Sequence, residues 1–151
     1  MQTGMEIVRA FYVAIDAGNL EKAGQFLSED FRGFGTEPGT MSKDEALEML
    51  SLLKAALPNL KHALSNIRSE GSLVMLTAHA GGRHTGPLDL SNMGMGMGVG
   101  IVPGSGKMVI FLPDEFEYTV TNGKITSERN VTPVTPFNGV TGFLNALGVS
   151  R

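Results

Sequence analysis

Apolar residues recur first at helical spacing and then at strand spacing along this chain. From Met5 to Ala17 they fall at Ile7, Phe11, Ala14 and Ile15, and Gly18-Asn19 supplies a stop, which predicts an amphipathic helix. Leu20 to Leu27 reads as a second short helix, with Leu20, Ala23, Phe26 and Leu27 on one side. Ser28-Glu29-Asp30 turns the chain into a short extended piece, Phe31 to Gly35. Ser42 followed by Glu45 is a capping-box pattern, in which each side chain satisfies the other's free backbone N–H. It predicts a third helix running to about Leu57, where Pro58 and Asn59 end it. From Leu60 the period falls to two. Strands are expected over Leu60–Ser69 and Ser72–Thr85 around a Glu70-Gly71 turn, and over Lys107–Thr121 and Lys124–Thr132. The last two flank Asn122-Gly123, a strong hairpin signal because type I′ turns need positive φ. Pro133 and Pro136 break the pattern, and a short helix is expected over Thr141–Leu147.

Helices first and a meander of strands afterwards predict an α+β domain over residues 1–151. The expected form is a cone-shaped barrel, a curved antiparallel sheet with the N-terminal helices over its concave face. Such a cone leaves a hollow suited to a ligand. Lys and Arg number 12 against 15 Asp and Glu, giving a net charge of −3, and no basic cluster is present to neutralise phosphates. Nucleic acid is therefore not an expected partner. With no cysteine, thiol nucleophiles, disulfides and cysteine-based zinc sites are excluded. No apolar run approaches the roughly 18 residues of a membrane span, and Met1–Arg9 lacks a basic-then-apolar signal. These features lead to the expectation of a cytoplasmic location away from membranes. Asn92–Gly106 holds six Gly and one Pro in fifteen residues, together with Met93, Met95 and Met97. This reads as a flexible excursion whose thioethers, Met97 in particular, form an adaptable lid or a contact between subunits, with plain disorder as the third reading. Its G-x-G-x-G pattern is followed by no helix, so it is not a dinucleotide loop.

Five short strings carry a family likeness. They are L-P-N-L at Leu57–Leu60, E-G-S-L-V at Glu70–Val74, G-R-H-T-G at Gly82–Gly86, N-G-K-I at Asn122–Ile125 and F-L-N-A-L-G at Phe143–Gly148. Their order and spacing resemble the SnoaL-like polyketide cyclases over roughly Met5 to Gly148. The resemblance implies the nuclear-transport-factor-2-like cone fold shared with ketosteroid isomerases, and often a homodimer. It implies cyclase or isomerase chemistry without a cofactor. The catalytic Asp that such cyclases place by the last strand has no counterpart, since no Asp follows Asp114, and Asn130 stands in its region. The family's penultimate-strand His is also missing. An isomerase-like alignment on the N-G-K-I hairpin sets Glu115 near that family's oxyanion-site Asp.

Glu115, Glu117 and Thr119 share one strand face, and Phe116, Tyr118 and Val120 the other. On the returning strand Glu128, Asn130 and Thr132 share a face. If the glutamates line the cone, three carboxylates together with burial raise at least one pKa, and such a carboxyl can take a proton α to a carbonyl and return it elsewhere. Glu117 is the first choice for this role and Glu128 the second. The alternative is that the glutamates line the wetted face of the sheet. Asn130 would donate a hydrogen bond to an oxyanion, since an amide cannot abstract a proton. His79 and His84 are five apart on one strand and so face opposite sides, which argues against a metal pair. His79 is a candidate proton shuttle, His84 is read as structural, and His62 as a surface or interface residue. Tyr12, Phe34, Glu115, Thr132 and Met97 are the candidate substrate contacts. Two functions remain open: a cofactor-independent acid/base enzyme acting on a small apolar carbonyl compound, or a non-catalytic domain that binds a small molecule or dimerises.

Overall fold

The structure is a computed structural model and describes residues 3–35, 39–89, 91, 100–132 and 147. Helix α1 spans Gly4–Asp16 and is capped by Thr3, whose hydroxyl accepts the Glu6 N–H at 3.2 Å. Its buried stripe is Ile7, Val8, Phe11, Tyr12, Ala14 and Ile15, wider than the sequence pattern by Val8 and Tyr12. Helix α2, Leu20–Gln25, starts at Asn19. Helix α3, Lys43–Ala56, carries both bonds of the capping box between Ser42 and Glu45. No helix of the described residues is long and apolar enough to cross a membrane.

The strands are β1 (Leu27–Phe34), β2 (Met41–Ser42), β3 (Lys61–Glu70), β4 (Leu73–Arg83), β5 (Leu88–Asp89), β6 (Ile101–Val102), β7 (Met108–Ile110), β8 (Asp114–Thr121) and β9 (Lys124–Asn130). The main sheet runs β2-β1-β9-β8-β4-β3, with β7 also on β4, and it curls into a half-barrel. The expected antiparallel sheet is instead mixed: β1 joins β9 in parallel, pairing Arg32 with Ser127 and Phe34 with Arg129. The parallel pair exists because the chain returns through α3, β3, β4 and β8 before β9 reaches the free edge of β1. The strand expected over Lys107–Thr121 is divided. Residues 111–113 interrupt it at Pro113, which has no N–H for a ladder, so β7 pairs β4 at Gly81–Arg83 and β8 pairs it at Leu73–Ala78. Ile101 and Val102, expected within the flexible excursion, pair with β5. The expected helix over Thr141–Leu147 lies outside the described residues, apart from Leu147.

Val74, Leu76 and Ala78 of β4 and Tyr118 of β8 turn inward against α1, forming the larger core with Ile7, Phe11, Ile15, Leu27, Phe31 and Ile125. This side is called the inner face below. A second cluster, centred on Ala56, Leu57, Leu60, Leu88 and Val109, closes the other end. The G-R-H-T-G string ties that end together. The buried His84 donates its backbone N–H to Lys107 O at 2.8 Å, and Gly86 donates to Ala56 O at 3.1 Å. A Cβ on Gly86 would stand 1.9 Å from Ala55 O, so only glycine fits this approach.

Candidate active site

The Asn122-Gly123 turn has φ of 52° and 77°, as a type I′ turn requires. An unbroken two-residue hairpin would set Glu128 opposite Glu117. A bulge between Thr119 and Val120 shifts the register by one, so Glu128 stands opposite Tyr118 and Arg129 opposite Glu117. A one-residue shift sends every later side chain of the return strand to the other face. Glu128 therefore joins the inner face, and the expected trio of Glu115, Glu117 and Glu128 is split.

Glu128 lies beneath a pair of tyrosines. Its carboxyl is hydrogen-bonded to Tyr118, whose hydroxyl is 2.5 Å from that of Tyr12 on α1. Both tyrosines are buried, at 1% and 6% exposure. Phe11 packs edge-on against each ring and Phe116 tilts against Tyr118, which fixes the pair in place. An ionised carboxylate only accepts, so Tyr118 donates its O–H to Glu128 and accepts from Tyr12. Loss of water pushes the Glu128 carboxyl up to about 7; the negative charge of Asp114 adds to this, and the Tyr118 hydrogen bond works against it. Burial also holds both phenols well above the ordinary tyrosine range, with Glu128 adding to each. The tyrosines therefore stay protonated donors while the carboxyl titrates near neutrality.

Asp114, at the start of β8, supplies a second inner carboxyl. Burial raises it, and hydrogen bonds from Asn130 and Thr132 lower it. Its Oδ1 is buried without a hydrogen-bond partner among the described residues. Asn130 stands opposite Phe116 on the inner face, and its Oδ1 accepts the Thr132 N–H at 2.9 Å. Thr132 in turn accepts the Glu115 N–H at 2.7 Å. Asn130 and Thr132 thus both stand beside the Asp114 carboxyl.

The other candidates lie elsewhere. Glu117 is on the outer face with Met75 across the strand, and Glu115 is exposed opposite Thr77. With Arg68, Thr77 and Val131 they border a shallow depression of about 40 Å³, too small for a polyketide. His79, expected to enter the cavity, is exposed on the outer face and meets Ser65 Oγ at 3.3 Å. Its odd-numbered partners Leu73, Met75 and Thr77 form the outer row, because Val74, Leu76 and Ala78 take the core. Phe34, expected at the substrate, carries the Arg129 guanidinium 4.2 Å above its ring. Its neighbour Phe31 takes the inner position. Met97 lies outside the described residues. His62, read as a surface or interface residue, is partly buried and bonded to Asp16 at 2.6 Å. Sequence reasoning passed over Asp114, Tyr118 and the Asp16–His62 pair. The apolar alternation Phe116-Tyr118-Val120 was the available signal, since the apolar side of a half-buried strand turns inward.

Among known proteins, a model of the family described as SnoaL-like polyketide cyclase matches residues 6–134. No curated protein matches the chain. Several solved structures share the fold. A candidate SnoaL-like polyketide cyclase from Jannaschia sp. CCS1 superposes with a TM-score of 0.72 at 20% identity, covering 98% of this chain and 93% of its own. IdmH, a candidate polyketide cyclase from Streptomyces antibioticus, gives 0.70 at 20% identity, covering 98% of this chain and 100% of its own. A protein of ketosteroid isomerase-like fold from Catenulispora acidiphila, solved in complex with trimethylamine, gives 0.62 at 18% identity, covering 85% and 86%. Because the family match takes in residues 6–134, most of the chain, the chain belongs to the SnoaL-like polyketide cyclase family.

Proposed function

We propose that this protein is a cofactor-independent enzyme of the cyclase and isomerase type that moves a proton α to the carbonyl of a small apolar compound. The observation that carries the reading is Glu128, a carboxyl held near neutrality beneath two hydrogen-bonded tyrosines. A base of pKa near the working pH combines a useful ionised fraction with enough basicity to pull a proton from carbon. The tyrosine chain steadies the carboxylate when it is ionised, and Asp114 keeps it from becoming too weak a base. Family membership supports the same class of reaction.

The test needs no knowledge of the natural substrate. Deuterium wash-in at the α-carbons of 2-tetralone and related apolar ketones, followed by NMR in D₂O, reads proton abstraction alone. Wild-type protein is expected to accelerate exchange, with the rate rising as pH passes about 7, where Glu128 ionises. Glu128→Gln is expected to lower the rate by about 100-fold or more. Undiminished exchange in that variant would remove Glu128 as the base. A binding-only reading draws on Asn130, which stands where the family's Asp would be and cannot move a proton. It expects saturable binding of the same ketones with no exchange.

A further inference from the structure

Tyr12 has a second neighbour beyond Tyr118. Its ring lies against the imidazole of His62, with centroids 5.0 Å apart and planes at 60°. His62 is the second residue of β3 and shares the inner face with Leu64. Asp16, the last residue of α1, holds it at two points. One carboxylate oxygen accepts the His62 backbone N–H at 2.9 Å, and the other lies 2.6 Å from Nδ1. Lys54 fixes the same corner by donating to the Asp16 carbonyl at 2.7 Å. Both side chains of the pair are only 14% exposed. Because the carboxylate accepts, Nδ1 bears the proton in that bond. Nε2 then has no hydrogen-bond partner among the described residues, and it is not sealed in the interior.

The remaining donors of the site are committed. With Glu128 ionised, the Tyr118 proton goes to the carboxylate and the Tyr12 proton to Tyr118. The Asn130 amide serves Asp114. A substrate oxygen that gains charge as its α-proton leaves therefore needs another donor. His62 stands across from Ala80, and Asp114 across from Ala78. Ala78 and Ala80 are two apart on β4, so His62 and Asp114 share the inner face.

The geometry points to His62, oriented by Asp16, as the general acid that protonates a substrate carbonyl oxygen while Glu128 removes the α-proton. This assignment rests on the reading of Glu128 as the base. In the first step the Glu128 carboxylate takes H⁺ from the α-carbon. The C–H electron pair forms the C=C bond, and the carbonyl π pair moves to oxygen, which takes H⁺ from Nε2 of the imidazolium. The products are an enol, a neutral carboxylic acid and a neutral imidazole. In the second step the enol O–H returns its proton to Nε2 and C=O re-forms. Carbon then takes the proton from Glu128, so both groups are restored. Asp16 is a positioning residue: it fixes the ring and offsets the charge of the imidazolium.

The test uses the 2-tetralone exchange assay with the full chain. His62→Ala is expected to slow exchange by about 100-fold. Added 4-methylimidazole is expected to restore much of it, whereas sodium chloride of equal ionic strength is not. Asp16→Asn is expected to slow exchange about tenfold by loosening the ring, and the double variant to be no slower than His62→Ala, because the two act as one unit. Undiminished exchange in His62→Ala, or a loss that 4-methylimidazole does not rescue, overturns the assignment. If Glu128→Gln keeps full exchange while His62→Ala loses it, the reading of Glu128 as the base fails and the paired assignment falls with it; full exchange in His62→Ala with loss in Glu128→Gln overturns the His62 assignment alone. If wild-type protein exchanges nothing, 4-nitrophenolate serves as the enolate analogue. About tenfold weaker binding to His62→Ala supports the donor, and equal binding overturns it.

Discussion

Replacing Glu128 by Gln exchanges an ionisable carboxyl for a neutral amide of nearly the same shape, so its effect on stability isolates the effect of charge. The folded-state pKa is about 7 and the ordinary value is 4.5. Between these values the folded chain keeps the proton and the unfolded chain releases it, so stability falls as pH rises. The loss begins near pH 4.5 and is complete somewhat above 7. Each unit of pKa difference is worth about 1.4 kcal/mol, so full burial gives about 3 kcal/mol. The residue is only partly buried, and screening brings the expected amplitude to about 2–3 kcal/mol. The variant has no such group, so its stability relative to wild type should climb by that amount from pH 4 to pH 8.5. Urea unfolding of both chains at four pH values across this range measures it, with linear extrapolation at each. By heat the same difference is about 5–10 °C at alkaline pH for a chain of this size. A difference that stays constant with pH would mean that the carboxyl is solvated. A reversed trend, with the variant losing ground as pH rises, would mean that Glu128 is stabilised in its ionised form. Either result refutes the burial argument.

Other substitutions probe separate parts of the structure. Tyr12→Phe removes a buried hydrogen bond and leaves the Tyr118 oxygen without its donor, so urea unfolding should show a loss of about 1–2 kcal/mol. Gly86→Ala forces a methyl group against the Ala55 carbonyl at 1.9 Å, and a thermal melt should show one of the largest losses in the chain, about 4 kcal/mol or a failure to fold. Glu117→Gln changes a residue of the outer face, so ketone exchange and its pH profile should match wild type. Asp114→Asn removes a charge that raises Glu128, so the midpoint of the exchange-rate profile should move below 7.

Helical spacing and the Ser42 cap were legible in the sequence, because each is set within a few residues; Asn19, read as the stop of the first helix, also caps the second, and the Thr3 cap was not read. The hairpin was legible for the same reason, since Asn122-Gly123 encodes its own turn. The site was less so. One bulge beside Thr119 decides whether Glu128 faces Glu117 or Tyr118, and no residue type marks it. The pairing of Asp16 with His62 joins residues 46 positions apart through the packing of α1 on β3. Local patterning does not encode such a meeting. The parallel join of β1 to β9 belongs to the same class, because it is set by the path of the whole chain.

That join has a consequence for how the protein is made. Leu27 pairs with Ile125, about a hundred positions later, and β9 fills the slot between β1 and β8. Contacts of such high sequence separation form slowly, because a long loop must close before they give any return. Until β9 is synthesised and docked, both neighbouring strands present open edges, which are templates for pairing with other chains. The strand that carries Glu128 is thus also the one that closes the sheet. A carboxyl that resists burial in its charged form sits at that closing step, so assembly should proceed more readily below neutral pH than above it. The pH dependence of assembly and the proton chemistry proposed for the site are then tied to one residue, Glu128.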